Sequence, residues 1–362
     1  MSLIYPSYSK GFNLLASFRL VGSVKSLGLN IINVFLRSVC TMNENMEART
    51  FGVELEFCGV SRPAAIAIVA TTISKNIFAK TDFCGGVYDK YVYQDSKGRN
   101  WYIARDSSIR TCSPTHEGDD VATSQCELIT PILSGSQDIE ILQEVVRNLK
   151  RYGAKVNRSC GLHVHIGAKD FTPKHLRVLA NIWHKNETMF LNAFQVDNEH
   201  RNTDYCLPMR NSFSMAINTL TGDFTLQEFL ASYYLCLPNE VHHQQQVHYN
   251  DHRYHALNFH SLGMHGTIEF RLFNSTLHAG KVKTAIQFAL AIMELAKSKK
   301  RADPTPAQTD NQAYLMHCFI NQLKLKGKEF ETCRKFLLEN LSGNVAWRTS
   351  SPSALVAESA AC

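Results

Sequence analysis

Between residues 51 and 297 the chain switches repeatedly between a two-residue and a 3.6-residue hydrophobic period, which predicts short strands mixed with amphipathic helices. FGVELEF (51–57) alternates as a strand does. Ser61-Arg62-Pro63 then opens a helix over Ala64 to Phe78, with proline in the first turn, where it removes no hydrogen bond. NWYIARD (100–106) and QCELITP (125–131) read as strands. Asp138 to Tyr152 reads as a helix, because Leu142, Val145, Val146 and Leu149 share a face and Gly153 stands at its end. GLHVHIG (161–167) is a strand between glycines, and Thr172-Pro173 opens a long helix with Leu176, Leu179, Trp183, Phe190 and Phe194 inward. Weaker helical patterns follow around 211–219 and 225–236. HALNFH (255–260) and GTIEFRLF (266–273) read as strands that a short glycine-containing connection joins as a hairpin. A helix over 281–297, the linker KKRADPTPAQTDNQ, one or two closing helices and a Ser/Ala-rich end frayed from about 341 complete the chain. Strands do not alternate regularly with helices, so the fold class is α+β on a largely antiparallel sheet, neither doubly wound nor a (β/α)₈ barrel.

Composition narrows this little. The 362 residues are 44% hydrophobic and 19% charged, which excludes general disorder. Apolar stretches run only about a dozen residues before a charge, too short for a membrane-spanning helix. The net charge of +6 owes four units to Lys10, Arg19, Lys25 and Arg37, which meet no acid before Glu44, so the body is nearly balanced and carries no nucleic-acid footprint. Residues 1–45 read as a leader, either an organelle transit peptide or an over-extended start with Met42 or Met46 as the first residue. The 11 cysteines are odd in number, scattered and without a C-x-x-C pair, which indicates neither a disulfide framework nor a zinc ribbon. A reducing compartment is expected: the cytoplasm, or an organelle if the leader is a targeting signal.

Candidate chemistry emerges from strand alternation, since side chains at i and i+2 point to one face. Glu54 and Glu56 share a face, as do His163 and His165, and Glu269 and Arg271. One such strand is an ordinary solvated face. Three of them place ligands and charge handlers where a wet face would use Lys, Thr, Ser or Gln. Adjacent carboxylates repel unless a cation neutralises them, and their oxygens suit Mg²⁺ or Mn²⁺, whereas histidine alone would favour zinc. Asp106 and Glu127 join the set by position, while Glu117, Asp119 and Asp120 read as solvated turn acids. The histidines between 242 and 265 match no zinc spacing and read as a polar loop, and Cys160 reads as a buried cysteine rather than a nucleophile. No P-loop, Rossmann, zincin or nucleophile-elbow motif is present.

Taken in order, E-x-E, the Asp after a Trp-initiated strand, C-E-L-I-T-P-I-L, C-G-L-H-V-H-I-G, L-N and G-T-I-E-F-R-L-F resemble the amidoligase family, carboxylate–amine ligases related to glutamine synthetase and glutamate–cysteine ligase. The resemblance covers roughly residues 50 to 300. It implies a curved antiparallel sheet with helices on its outer face, binding Mg²⁺ and ATP. Glu54, Glu56, Glu127, His163 and Glu269 would then be metal ligands. His165 would face the nucleotide phosphates, Arg271 would meet the transferred phosphoryl group, and Asp106 would serve as base or substrate-positioning residue.

The implied activity is ATP-dependent amide formation through an acyl phosphate, on a small-molecule, peptide or protein carboxylate and amine, with no nucleic-acid or membrane partner. Its catalytic domain would span 46–300, with C-terminal helices over 301–340 and a tail over 341–362. Two other readings are a metal-dependent hydrolase using His163 and His165, which would need further histidine ligands and a β/α repeat, and a non-catalytic domain that keeps only the sheet.

Overall fold

The computed structural model describes residues 44–112, 124–196 and 204–347. Its frame is an eight-stranded sheet: β1 (Phe51–Phe57), β2 (Asp82–Gly85), β3 (Lys90–Gln94), β4 (Asn100–Ala104), β5 (Cys126–Ile129), β6 (Gly161–Gly167), β7 (Leu257–Asn258) and β8 (Thr267–Asn274). The spatial order is β2-β3-β4-β5-β1-β6-β8-β7, and every neighbouring pair is antiparallel. Strands close in sequence but far apart in the sheet force long crossovers, and helices fill them.

The alternation on each strand fixes which face those helices cover. Val53, Leu55, Leu128, Leu162, Val164, Phe270 and Leu272 are all buried. Over them lie α1 (Arg62–Ser74), α2 (Gly135–Arg151), α3 (Pro173–Ala193) and the later helix Ala279–Ser298. Trp183 of α3 packs edge-on against Phe270 of β8 with ring centroids 5.6 Å apart, and Phe190 meets Phe288 at 5.1 Å. Close-packed aromatic edges of this kind carry much of a core's burial energy. Four shorter helices, α4 (Asn211–Thr219), α5 (Leu226–Tyr234), α6 (Val241–Gln246) and α7 (Ser261–His265), sit in the excursion between α3 and β8. Ala279–Ser298 is α8, and α9 (Gln312–Gln322) and α10 (Glu331–Leu338) follow it.

The other face curls. Tyr88, in the turn between β2 and β3, is 3.1 Å hydroxyl to hydroxyl from Tyr249, which precedes β7 at the opposite edge of the sheet. The bridge lies on the polar side, because the Tyr88 phenol senses the charges of Arg253 and Glu127.

Several expectations are corrected. α1 stops at Ser74, not Phe78, because Lys75 adopts a left-handed conformation (φ 58°) that ends the helix. β4 and β5 are shorter than the apolar runs that announced them. The strand expected over 255–260 shrinks to Leu257–Asn258, and α7 sits in its connection to β8, so the link is no tight hairpin. The histidine-rich stretch expected to be a loop contains α6. β2 and β3 were not anticipated. Cys58 and Cys112, separated by 54 residues in sequence, form a disulfide with Cα atoms 5.6 Å apart, which the scattered spacing concealed. The leader through residue 43 and the acids Glu117, Asp119 and Asp120 lie outside the described residues. No helix among the described residues is long and apolar enough to cross a membrane.

Candidate active site

Cross-strand register assembles the polar face. In the pairing of β1 with its two neighbours, Glu54 stands opposite His163 and Glu56 opposite Glu127. On β8, Glu269 stands opposite both His165 and Asn258. Side chains paired across an antiparallel ladder lie close enough to touch. The register of β6 against β8 shifts between Leu162 and Val164, so that β8 carries one extra residue there. Such a bulge locally re-aims a strand. It falls at Arg271 and Leu272 and leaves Arg271 turned back onto Glu269.

His163 is the hub. Its Nδ1 is 3.1 Å from Glu54 Oε2 and 3.8 Å from Glu269 Oε1, and its Nε2 is 3.8 Å from Glu56 Oε1. Two overlapping sets of ligand atoms result, Glu54–His163–Glu269 and Glu56–Glu127–His163, each with all its atoms within 4.8 Å of one another. Glu269 is gripped from both sides: Arg271 Nη1 donates to Oε1 at 2.5 Å and Asn258 Nδ2 to Oε2 at 2.7 Å. Glu56 accepts from the backbone N–H of Gly161 at 2.5 Å. His165 Nε2 lies 3.5 Å from Glu54 and 3.8 Å from Glu269 but is buried without a hydrogen bond, while its Nδ1 is 3.2 Å from the hydroxyls of Ser261 and Thr267.

The electrostatics are divided. Burial alone would raise the Glu54 and Glu269 carboxyls, but His165 and His163 outweigh it for Glu54, and Arg271 with both histidines outweighs it for Glu269, so both groups are held low. For Glu127 the opposing charge of Arg271 is outweighed: burial and the charges of Glu54, Glu56 and Asp106 push it well above its ordinary value. With no further cation beside it, the Glu127 carboxyl would therefore hold a proton that its negative neighbours impose.

Asp106 stands apart. It lies near enough to influence Glu127, but its Oδ1 accepts from the N–H of Ser108 at 2.7 Å in a local turn, and it belongs to neither ligand set. At the Glu54 and His165 end the face opens into a cavity of about 800 Å³, with Phe51 and Ile129 against it and Lys169 and Lys297 at its rim. Lys297 pairs with Asp170, whereas Lys169 has no acidic partner among the described residues.

A family model described as "Putative amidoligase enzyme" matches residues 47–293, a span holding every side chain named above except Lys297. The chain belongs to the amidoligase family. Among solved structures, it is similar to a bifunctional glutathione synthetase from Pasteurella multocida, with 14% identity and a TM-score of 0.37 over 84% of this chain and 48% of that one. It thus spans about half the length of that protein. No curated protein matches the chain. Sequence reasoning passed over Asn258 as a site residue, although the L-N pair before β8 was the available signal. It counted His260 among the histidines of a polar loop and did not single out Arg253, and no local pattern marks either.

Proposed function

We propose that this amidoligase is an ATP-dependent carboxylate–amine ligase that works on the concave polar face of a sheet like that of glutamine synthetase and glutamate–cysteine ligase. The observation that supports it best is the crowding of four glutamates around His163 and His165 on one face beside a cavity large enough for a nucleotide. The donor set fits hard divalent cations: carboxylate oxygens dominate, and at Glu127 the neighbouring acids outweigh the one opposing cation, Arg271. Glu54, His163 and Glu269 would hold one ion and Glu56 and Glu127 a second; His163 lies within reach of both sets, but a neutral imidazole offers one free ring nitrogen and so would serve one ion. When bound, Mg²⁺ or Mn²⁺ supplies charge neutralisation at phosphoryl oxygens.

A carboxylate cannot expel oxide, so the acid first attacks the γ-phosphorus of ATP, releasing ADP and giving an acyl phosphate. An amine then attacks the acyl carbon and phosphate leaves. In this reading the base packs against Ile129 in the cavity and Lys169 meets the polyphosphate. Arg271, fixed by Glu269, faces the phosphoryl group in flight, which is electrostatic and positioning work. Asp106 would take the proton of the attacking amine once its turn with Ser108 relaxes. The test is an ATPase screen of the full chain with Mg²⁺ and pooled amino acids and amines, followed by mass spectrometry. A product one water lighter than its summed substrates is expected; no pool-dependent ADP release under any pool would refute the reading.

A further inference from the structure

Away from the glutamate cluster, where the first residues of β6 and the last of β8 meet α3, α8 and α10, lies a separate pocket of about 240 Å³. Gly167 and Thr267, which border the 800 Å³ cavity, mark the far ends of the same two strands, so the two spaces sit at opposite ends of the sheet's centre. The walls of the smaller one are largely apolar. Phe194 and Phe273 stand nearly perpendicular with ring centroids 4.7 Å apart, and Leu162, Ala285 and Phe336 surround them. One polar atom at this wall has no partner: Asn274 Oδ1 is buried without a hydrogen bond. The amide cannot turn it away, because Nδ2 donates to the Gln195 carbonyl at 2.7 Å and a flip would set two oxygens against each other. Buried polar atoms are almost always paired, so an acceptor fixed beside an apolar pocket indicates a missing donor. The charges there cancel. Lys281 pairs with Glu339 at 3.1 Å, and its ammonium lies 5.3 Å from the Phe336 centroid. An anion would meet Glu339 and a cation Lys281, which leaves an uncharged occupant.

We propose that this pocket binds a neutral molecule the size of one fused ring system, carrying an N–H or O–H donor that Asn274 Oδ1 receives. The size follows from the volume. A cavity of about 150 Å³ accepts benzene, and pockets for drug-sized ligands begin at about 300 Å³, so the space between suits a bicyclic ring. Water is the poorer occupant, because a buried water needs about two to four polar partners. Most of the polar groups here are already spent: Ser275 Oγ donates to the Glu56 carbonyl, Thr284 Oγ1 to the Gly280 carbonyl and Asn340 Nδ2 to the Ala193 carbonyl. The pocket shares no side chain with the glutamate cluster, so the assignment is independent of the ligase reading.

The test is a ligand-observed NMR titration of the full chain with two probes of one shape, indole and benzothiophene, of which only indole carries a donor. The variants are Asn274→Ala, which removes the acceptor, and Ala285→Leu, which fills the space from a wall residue that is 1% exposed; circular dichroism confirms their fold. Wild type should bind indole with a Kd below about 1 mM, an ordinary affinity for so few atoms. Asn274→Ala should weaken indole about tenfold, the loss expected for one hydrogen bond, and benzothiophene by about threefold at most. Ala285→Leu should weaken both probes by at least about tenfold, which ties them to this pocket rather than to the larger cavity. No saturable indole binding, which would leave the pocket to solvent, would overturn the proposal. So would indole affinity unchanged in Asn274→Ala, an equal loss for both probes in that variant, or unchanged binding of both in a folded Ala285→Leu. If Ala285→Leu does not fold, the Asn274→Ala comparison decides alone.

Discussion

Both Glu269 oxygens are already engaged, Oε1 by Arg271 and Oε2 by Asn258, with His163 and His165 each 3.8 Å away. Arg271 is 6% exposed, and its loss would strand a buried carboxylate. Arg271→Ala should therefore cost about 3–5 kcal/mol of stability. Arg271→Lys keeps the charge but not the planar fork. It should stay folded and lose about 30- to 1000-fold in ligase turnover, corresponding to about 2–4 kcal/mol of transition-state stabilisation. Turnover within about threefold of wild type, with a lowered Tm, would reduce Arg271 to an ion-pair partner. A second buried acid gives a pH signature. Burial pushes the Glu187 carboxyl from 4.5 up to about 7, against hydrogen bonds from Trp183 and Met209 that pull it down. Between those values the folded chain keeps a proton that the unfolded chain has released. Stability should be complete below about pH 4.5 and decline as pH rises toward 7, by about 3 kcal/mol at most. Glu187→Gln should flatten that decline in thermal melts, and an unchanged profile would mean the proton resides elsewhere. At this scale the i, i+2 pairs were legible because a strand's side-chain period is two. Asn258 and His260 were not, because only the tertiary fold brings their segment against Glu269.

β1, β6 and β8 were readable as strands because each buries a continuous apolar face under the helices. β2 and β3 were not: Asp82 to Cys84 of β2 are exposed, so no burial imposes an alternation, and the pair is held by ladder hydrogen bonds and the turn at Tyr88. Strand order was equally hidden, since register depends on which apolar faces meet across long crossovers. The corner between β1 and α1 offers a test of the element itself. Gly59 has φ +90°, and a Cβ there would lie 2.9 Å from the Gly153 carbonyl, beside the bridge pairing Cys58 with Lys155. Gly59→Ala should cost on the order of 1–3 kcal/mol, read as a lower denaturant midpoint with unchanged slope. A loss under about 0.5 kcal/mol would show that the corner yields.

For the molecule as a whole, the apolar face of the sheet supplies the core, while the other carries more buried carboxylate than the chain's own cations offset. If that surplus is a cation site, Mg²⁺ or Mn²⁺ should raise Tm by mass action, about 2.7 kcal/mol at a hundredfold excess over Kd, and Glu127→Gln should diminish the gain. Equal metal-induced shifts in wild type and Glu127→Gln would place the ion elsewhere. The central claim is that this face joins a carboxylate to an amine through a phosphorylated acid. Its most direct test is to supply the full chain with Mg²⁺-ATP, pooled amines and pooled carboxylic acids labelled with oxygen-18, and to read the released phosphate by mass spectrometry. The account predicts that the phosphate carries one oxygen-18 for each amide formed. Unlabelled phosphate, released whether or not an acid is present, would contradict it.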